Sequence, residues 1–175
     1  MIAVNSSRPT ATDRTIAVGI GQYAVTSDGE CVLVSYGLGS CVGISCWDAV
    51  ARVAGLIHIL LPEPMKHDAS EATPTRFAST GIPFFLQKLE EQGAHRSRLH
   101  IVAAGGAQML GALSLMGATK AVGSRNTEAV QATLSQEGLR LSAHDFGGST
   151  GRTIGLVVAN GTTWVRAAGG VAHDL

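Results

Sequence analysis

Two residues in the first third of the chain have the types and the spacing to do chemistry together. Cys41 sits in SYGLGSCVG (35–43), with Gly37 and Gly39 before it and Gly43 after it. His58 follows 17 residues on, in the apolar run GLIHILLP (55–62). A nucleophilic thiol must be reachable, must lose its proton, and must find donors for the oxyanion its attack creates. Glycines allow a sharp turn and let a substrate approach the backbone closely. Such a turn can leave the N–H groups of Ser40 and Cys41 facing a tetrahedral oxyanion, so Gly37, Gly39 and Ser40 are the turn and oxyanion candidates. If Cys41 opens one strand and the chain returns through a hairpin over WDAVARVAG (47–55), Cys41 and His58 meet across neighbouring strands. A thiolate stabilised by an imidazolium is then expected. The structural alternative stays open on these residues alone: cysteine is among the most buried residue types, and His58 can be a hydrogen-bonded core histidine.

Other chemistries fit less well. Gly37, Gly39 and Gly43 miss the dinucleotide-binding fingerprint by one position, and no helix follows them. Cys31, Cys41 and Cys46 are spaced unlike the usual zinc sites. Cys31 and Cys46 lie inside apolar runs and are expected to be inert and buried. His67, His95, His100, His144 and His173 are scattered and read as surface or loop residues. Neither a metal nor a cofactor is expected.

The elements that must position Cys41 and His58 follow from composition and pattern. The chain has 175 residues, which favours one domain, expected over 15–168 between a flexible N-terminal tail (1–14) and a C-terminal tail (169–175). Formal net charge is zero, which argues against a nucleic-acid partner or a polybasic membrane contact. An odd number of cysteines without a secretory leader reads as free thiols in a reducing, cytoplasmic setting. The uncharged run 101–119 is rich in Gly and Ala, and reads as a buried strand, a glycine turn and a short helix rather than a membrane span.

Strands are expected over 16–25, 30–36, 41–47, 53–61 and 99–104. A loop is expected over 61–75, then a helical region over 76–92 that Pro83 either kinks or divides. The clearest helix is 126–137, with Asn126 or Thr127 as its cap and Gly138 as its stop. Asn160-Gly161 predicts a two-residue type I′ hairpin. The order of elements predicts an α/β layered sandwich: a mixed β-sheet with helices packed on it.

The glycine-flanked cysteine and GLIHILLP, with AAGGAQM (103–109), VGSRNTEAVQATLSQEGL (122–139) and HDFGGSTGR (144–152) in the same order, resemble the CheD family, the chemoreceptor glutamine deamidases of bacterial chemotaxis. The resemblance spans about residues 16–167. It implies a sandwich similar to the bacterial toxin deamidases. It implies hydrolysis of selected glutamine side chains on methyl-accepting chemotaxis receptors, with Cys41 as nucleophile and His58 as base. The family's third catalytic position falls on Ser35, where threonine is usual; serine keeps the hydroxyl that would hold the imidazole. Gln108 stands where asparagine is more usual and is given no role. Two other functions remain alongside: a non-catalytic adaptor that binds receptors or the CheC phosphatase, and another Cys–His acyl-transfer enzyme such as a peptidase or transglutaminase.

Overall fold

The computed structural model describes residues 14–64, 73–108 and 122–175. Among the described residues ten strands make two five-stranded sheets, and two α-helices pack on one of them. The first sheet holds β1 (Arg14–Ala17), β3 (Cys31–Leu38), β8 (Arg152–Val157), β9 (Thr163–Ala167) and β10 (His173–Asp174), in that spatial order. The second holds β2 (Tyr23–Thr26), β5 (Val53–Ile59), β4 (Val42–Asp48), β6 (Leu99–Gly105) and β7 (Ala143–Phe146). Both are mixed, since β1 runs parallel to β3 and β7 parallel to β6. The layered α/β sandwich is therefore present, with two sheets rather than one.

Strand periodicity assigns the layers. In β4, Val42, Ile44 and Cys46 face the helices, where they join Ile57, Ile59 and Ile101 under Ile82, Phe85, Leu89, Val130 and Leu134. The intervening Gly43, Ser45 and Trp47 face the first sheet, and the Ser45 hydroxyl meets that of Thr163 at 3.0 Å. A strand buried on both faces reads as a continuous run of apolar and small residues, which is how 42–47 reads. Leu33, Leu38, Leu56, Ala104, Ile154 and Leu156 fill the space between the sheets.

Helix α1 (Ala78–Glu91) follows a single 3₁₀ turn at Pro74–Arg76 and buries Ala78, Ile82, Phe85, Leu86 and Leu89 along one face. It neither divides nor restarts at Pro83. The missing proline N–H leaves only the carbonyl of exposed Ser79 unbonded, where solvent can take its place. Helix α2 (Val122–Gln136) starts a turn earlier than the capping pattern predicts, so Asn126 lies on its buried face rather than at its end.

Other expectations are corrected. The strand expected over 16–25 is two strands in different sheets. The chain crosses over at 18–22, where Gly21 takes a left-handed conformation. Arg14, expected in the tail, opens β1. Asn160-Gly161 does not form a type I′ pair, because Gly161 alone has positive φ; a five-residue connection, 158–162, joins β8 to β9. The tail expected at 169–175 contains β10, which pairs with β9. The run from 101 begins with β6, while the helix expected within 109–121 lies outside the described residues. Among the described residues no helix is long and apolar enough to cross a membrane.

Candidate active site

Ser35, Cys41 and His58 all face the layer between the sheets. Gly43 pairs with His58 across β4 and β5, and a Cβ on Gly43 would press on Ile154 of the first sheet, so this face of β5 points inward between the sheets. Cys41 lies two residues before Gly43, on the same side, which makes it the diagonal neighbour of His58. Ser35 on β3 pairs with Ile154 on β8 and faces the same layer. All three are buried, Cys41 least so at 8% exposure against 2% for His58 and none for Ser35. Beyond Ser35 the β3–β8 register slips, and Gly37 adopts φ +67° with open space around its missing Cβ. Gly37 is thus required by the backbone of a bulge, which turns exposed Tyr36 outward and returns Leu38 to the core. Gly39 takes no such conformation, and lies with Ser40 and Cys41 in the bend that follows β3.

The carbonyl of Val18, in the crossing between β1 and β2, organises the imidazole. It accepts the Ser35 hydroxyl at 2.9 Å and lies 3.4 Å from His58 Nδ1. Ser35 therefore does not hold the ring directly, as the sequence suggested; hydroxyl and imidazole share one acceptor. The crossing is itself tied to His58, whose N–H donates to the Gln22 carbonyl and whose carbonyl accepts the Gly21 N–H. Donation from Nδ1 leaves His58 Nε2 as a bare lone pair, and that atom is buried without a hydrogen-bond partner among the described residues.

Burial sets the protonation states. It pushes the Cys41 thiol up, opposed by the residue's own N–H, and it pushes the His58 imidazole down, opposed by the Val18 carbonyl. Both shifts weigh toward a neutral pair and against the ion pair expected from the sequence, and no hydrogen bond joins Cys41 to His58. Such a pair does its chemistry by transferring the thiol proton to Nε2 as attack proceeds.

The turn carrying the thiol is held through its carbonyls. Gly39 O accepts from Ala107 N–H at 2.7 Å, and Cys41 O from Gly106 N–H at 2.8 Å. Among the described residues no backbone carbonyl accepts from the N–H of Ser40 or of Cys41. Gly105 is forced by contact, since a Cβ there would overlap the Cys41 carbonyl oxygen.

A family model described as CheD chemotactic sensory transduction matches residues 60–167. A probable chemoreceptor glutamine deamidase CheD of Symbiobacterium thermophilum is 42% identical over 161 residues, covering 91% of this chain and 96% of the relative. Another so named, of Pyrococcus abyssi, is 40% identical and covers 87% of this chain and 91% of its own length. The chain belongs to the CheD family. Among solved structures, the Bacillus licheniformis hypothetical protein YfiH is similar at a TM-score of 0.44 and 11% identity, over 80% of this chain and 61% of that one.

The CheD family model begins after His58 and so covers neither Cys41 nor His58. Cys31 and Cys46 are buried, and burial raises the Cys46 thiol far above its ordinary value. His95, His100, His144 and His173 are exposed, while His67 lies outside the described residues. Among the described residues no cluster could hold a metal ion. Sequence reasoning missed Val18 and Asn126. A backbone acceptor leaves no side-chain signature, whereas Asn126 stood within the CheD-like block 122–139 and was taken for a helix cap.

Proposed function

We propose that this chain hydrolyses the side-chain carboxamide of selected glutamines on chemotaxis receptors, with Cys41 as nucleophile and His58 as general base. The observation that carries the reading is the bare, buried Nε2 of His58, held in that tautomer by the Val18 carbonyl on the face it shares with Cys41. The curated relatives' names supply the substrate class.

The steps follow from the geometry. His58 Nε2 takes the thiol proton as Cys41 Sγ attacks the amide carbon. The oxyanion faces the Ser40 and Cys41 N–H groups. His58 returns the proton to the departing nitrogen, ammonia leaves, and a thioester remains. A water molecule, deprotonated by His58, attacks the thioester; the C–S bond breaks, the thiol regains its proton, and glutamate is released. No step calls on a metal or cofactor. Three free cysteines suit a reducing, cytoplasmic setting.

The test is mass spectrometry of a receptor co-expressed with the parent or with Cys41→Ala. Conversion of specific glutamines to glutamate with the parent alone is expected. Binding to the receptor or to CheC with no conversion would leave the adaptor reading. Chain cleavage or amine incorporation would mean another acyl transfer.

A further inference from the structure

We infer that Asn126 of α2 is a positioning residue that sets the thiol-bearing turn against the base-bearing strand; this rests on the Cys41–His58 reading above. Asn126 is fully buried, and its side-chain Nδ2 donates to two backbone carbonyls at once, Ser40 O at 2.8 Å and Leu60 O at 2.9 Å. Ser40 directly precedes the nucleophile, and Leu60 lies two residues past the base. The β4–β5 ladder ends at the Val42–Ile59 pair. Asn126 supplies the next rung from outside the sheet, at the level where Cys41 and Leu60 would otherwise face each other without a bond.

The same amide also aims a donor. In a trans peptide the carbonyl of one residue and the N–H of the next point in opposite directions. Holding Ser40 O therefore turns the Cys41 N–H the other way, toward the side left open for an oxyanion. Ala107 N–H does the same for the Ser40 N–H by holding Gly39 O. A second observation separates this from ordinary packing. Among the described residues Asn126 Oδ1 is buried with no hydrogen-bond partner. Exchanging the amide's oxygen and nitrogen would set an acceptor against two carbonyl oxygens, so the orientation is fixed by chemistry. The site tolerates an unmatched acceptor to keep two donors in place.

The experiment is single-turnover deamidation of a receptor fragment by purified variants. Asn126→Ala is expected to lower kcat by about 10- to 100-fold while KM moves by no more than about twofold, as misplacement of reacting groups should. Combined with His58→Ala, it is expected to add little to the loss from His58→Ala alone, because both remove the same alignment. Asn126→Asp guards against a variant that fails to fold, since it keeps the volume. A protonated carboxyl there donates to one carbonyl, and an ionised one donates to neither. Its activity should fall as pH rises through the pKa of that carboxyl, where the parent stays level, with circular dichroism unchanged. A parental kcat in Asn126→Ala, full multiplication with His58→Ala, or a parental pH profile in folded Asn126→Asp would each overturn the inference. Full activity in Cys41→Ala would instead overturn the Cys41–His58 reading.

Discussion

The two ends of the β4–β5 hairpin bury polar groups in opposite ways. At the turn end, Asp48 is fully buried and every part of its carboxylate is engaged. It accepts the N–H groups of Val50, Ala51 and His95, and the Arg98 guanidinium closes on it at 2.8–3.1 Å. Those bonds, Arg98 first, hold the carboxyl well below the usual carboxylate range. At the open end, Cys41 and His58 are nearly as buried, yet among the described residues His58 Nε2 has no partner and the thiol is not bonded to it. The same hairpin thus carries a saturated polar group that fixes the fold and an unsaturated pair that can react. Burial alone does not separate structure from chemistry; leftover hydrogen-bonding capacity does.

The largest expected contrast comes from removing each end. Cys41→Ala should cut deamidation by about 10³-fold or more, because no other group can serve as nucleophile, while the melting temperature stays near that of the parent. Asp48→Ala should do the reverse. Three N–H groups lose their acceptor, which costs about 2–3 kcal/mol and lowers the melting temperature by roughly 5–10 °C, with kcat kept well below the transition. Paired thermal melts and single-turnover assays decide it. A Cys41→Ala variant that loses stability and activity together would erase the contrast.

The pH profile sharpens the same point. With His58 as the proposed neutral base, and with burial lowering its pKa, kcat/KM should rise with pH through a value below about 6.5 and level off above it. The raised thiol predicts no further climb near the ordinary cysteine value of about 8.5. Stability carries the matching sign. The unfolded chain binds the His58 proton first, so this contribution is present above about pH 6.5 and is lost as pH falls toward the folded-state value. An acid limb at or above about 6.5 would mean an imidazolium–thiolate pair after all.

The smallest effect is at Ser35. Its hydroxyl reaches the imidazole only through the Val18 carbonyl, so Ser35→Ala should slow the chemical step by about three- to tenfold, the loss of one neutral hydrogen bond. Ser35→Thr should match the parent or exceed it, since a β-branched side chain holds its hydroxyl in fewer rotamers. Full activity in Ser35→Ala, measured on the same receptor fragment, would reduce the site to Cys41 and His58.

What was legible in the sequence followed side-chain pattern. β3 to β6 and both helices announced themselves by periodicity, and Cys41 and His58 by residue type and glycine context. What was hidden lay in the backbone. The run 16–25 alternates like one strand, and only the crossing at Val18 to Gln22 reveals that its halves serve different sheets. Asn160-Gly161 has the dipeptide of a tight turn but sits in a longer connection, because sheet geometry overrode local preference. Asn126 resembled a cap because capping and reaching out to distant carbonyls require the same side chain.

The crossing also ties the base to both layers of the molecule. Residues 14–26 form a strap, with β1 laid along β3 in one sheet and β2 along β5 in the other. The Val18 carbonyl that orients His58 lies at its middle. The orientation of the His58 ring is therefore a property of the two sheets together, because the acceptor facing Nδ1 sits on a segment that belongs to both.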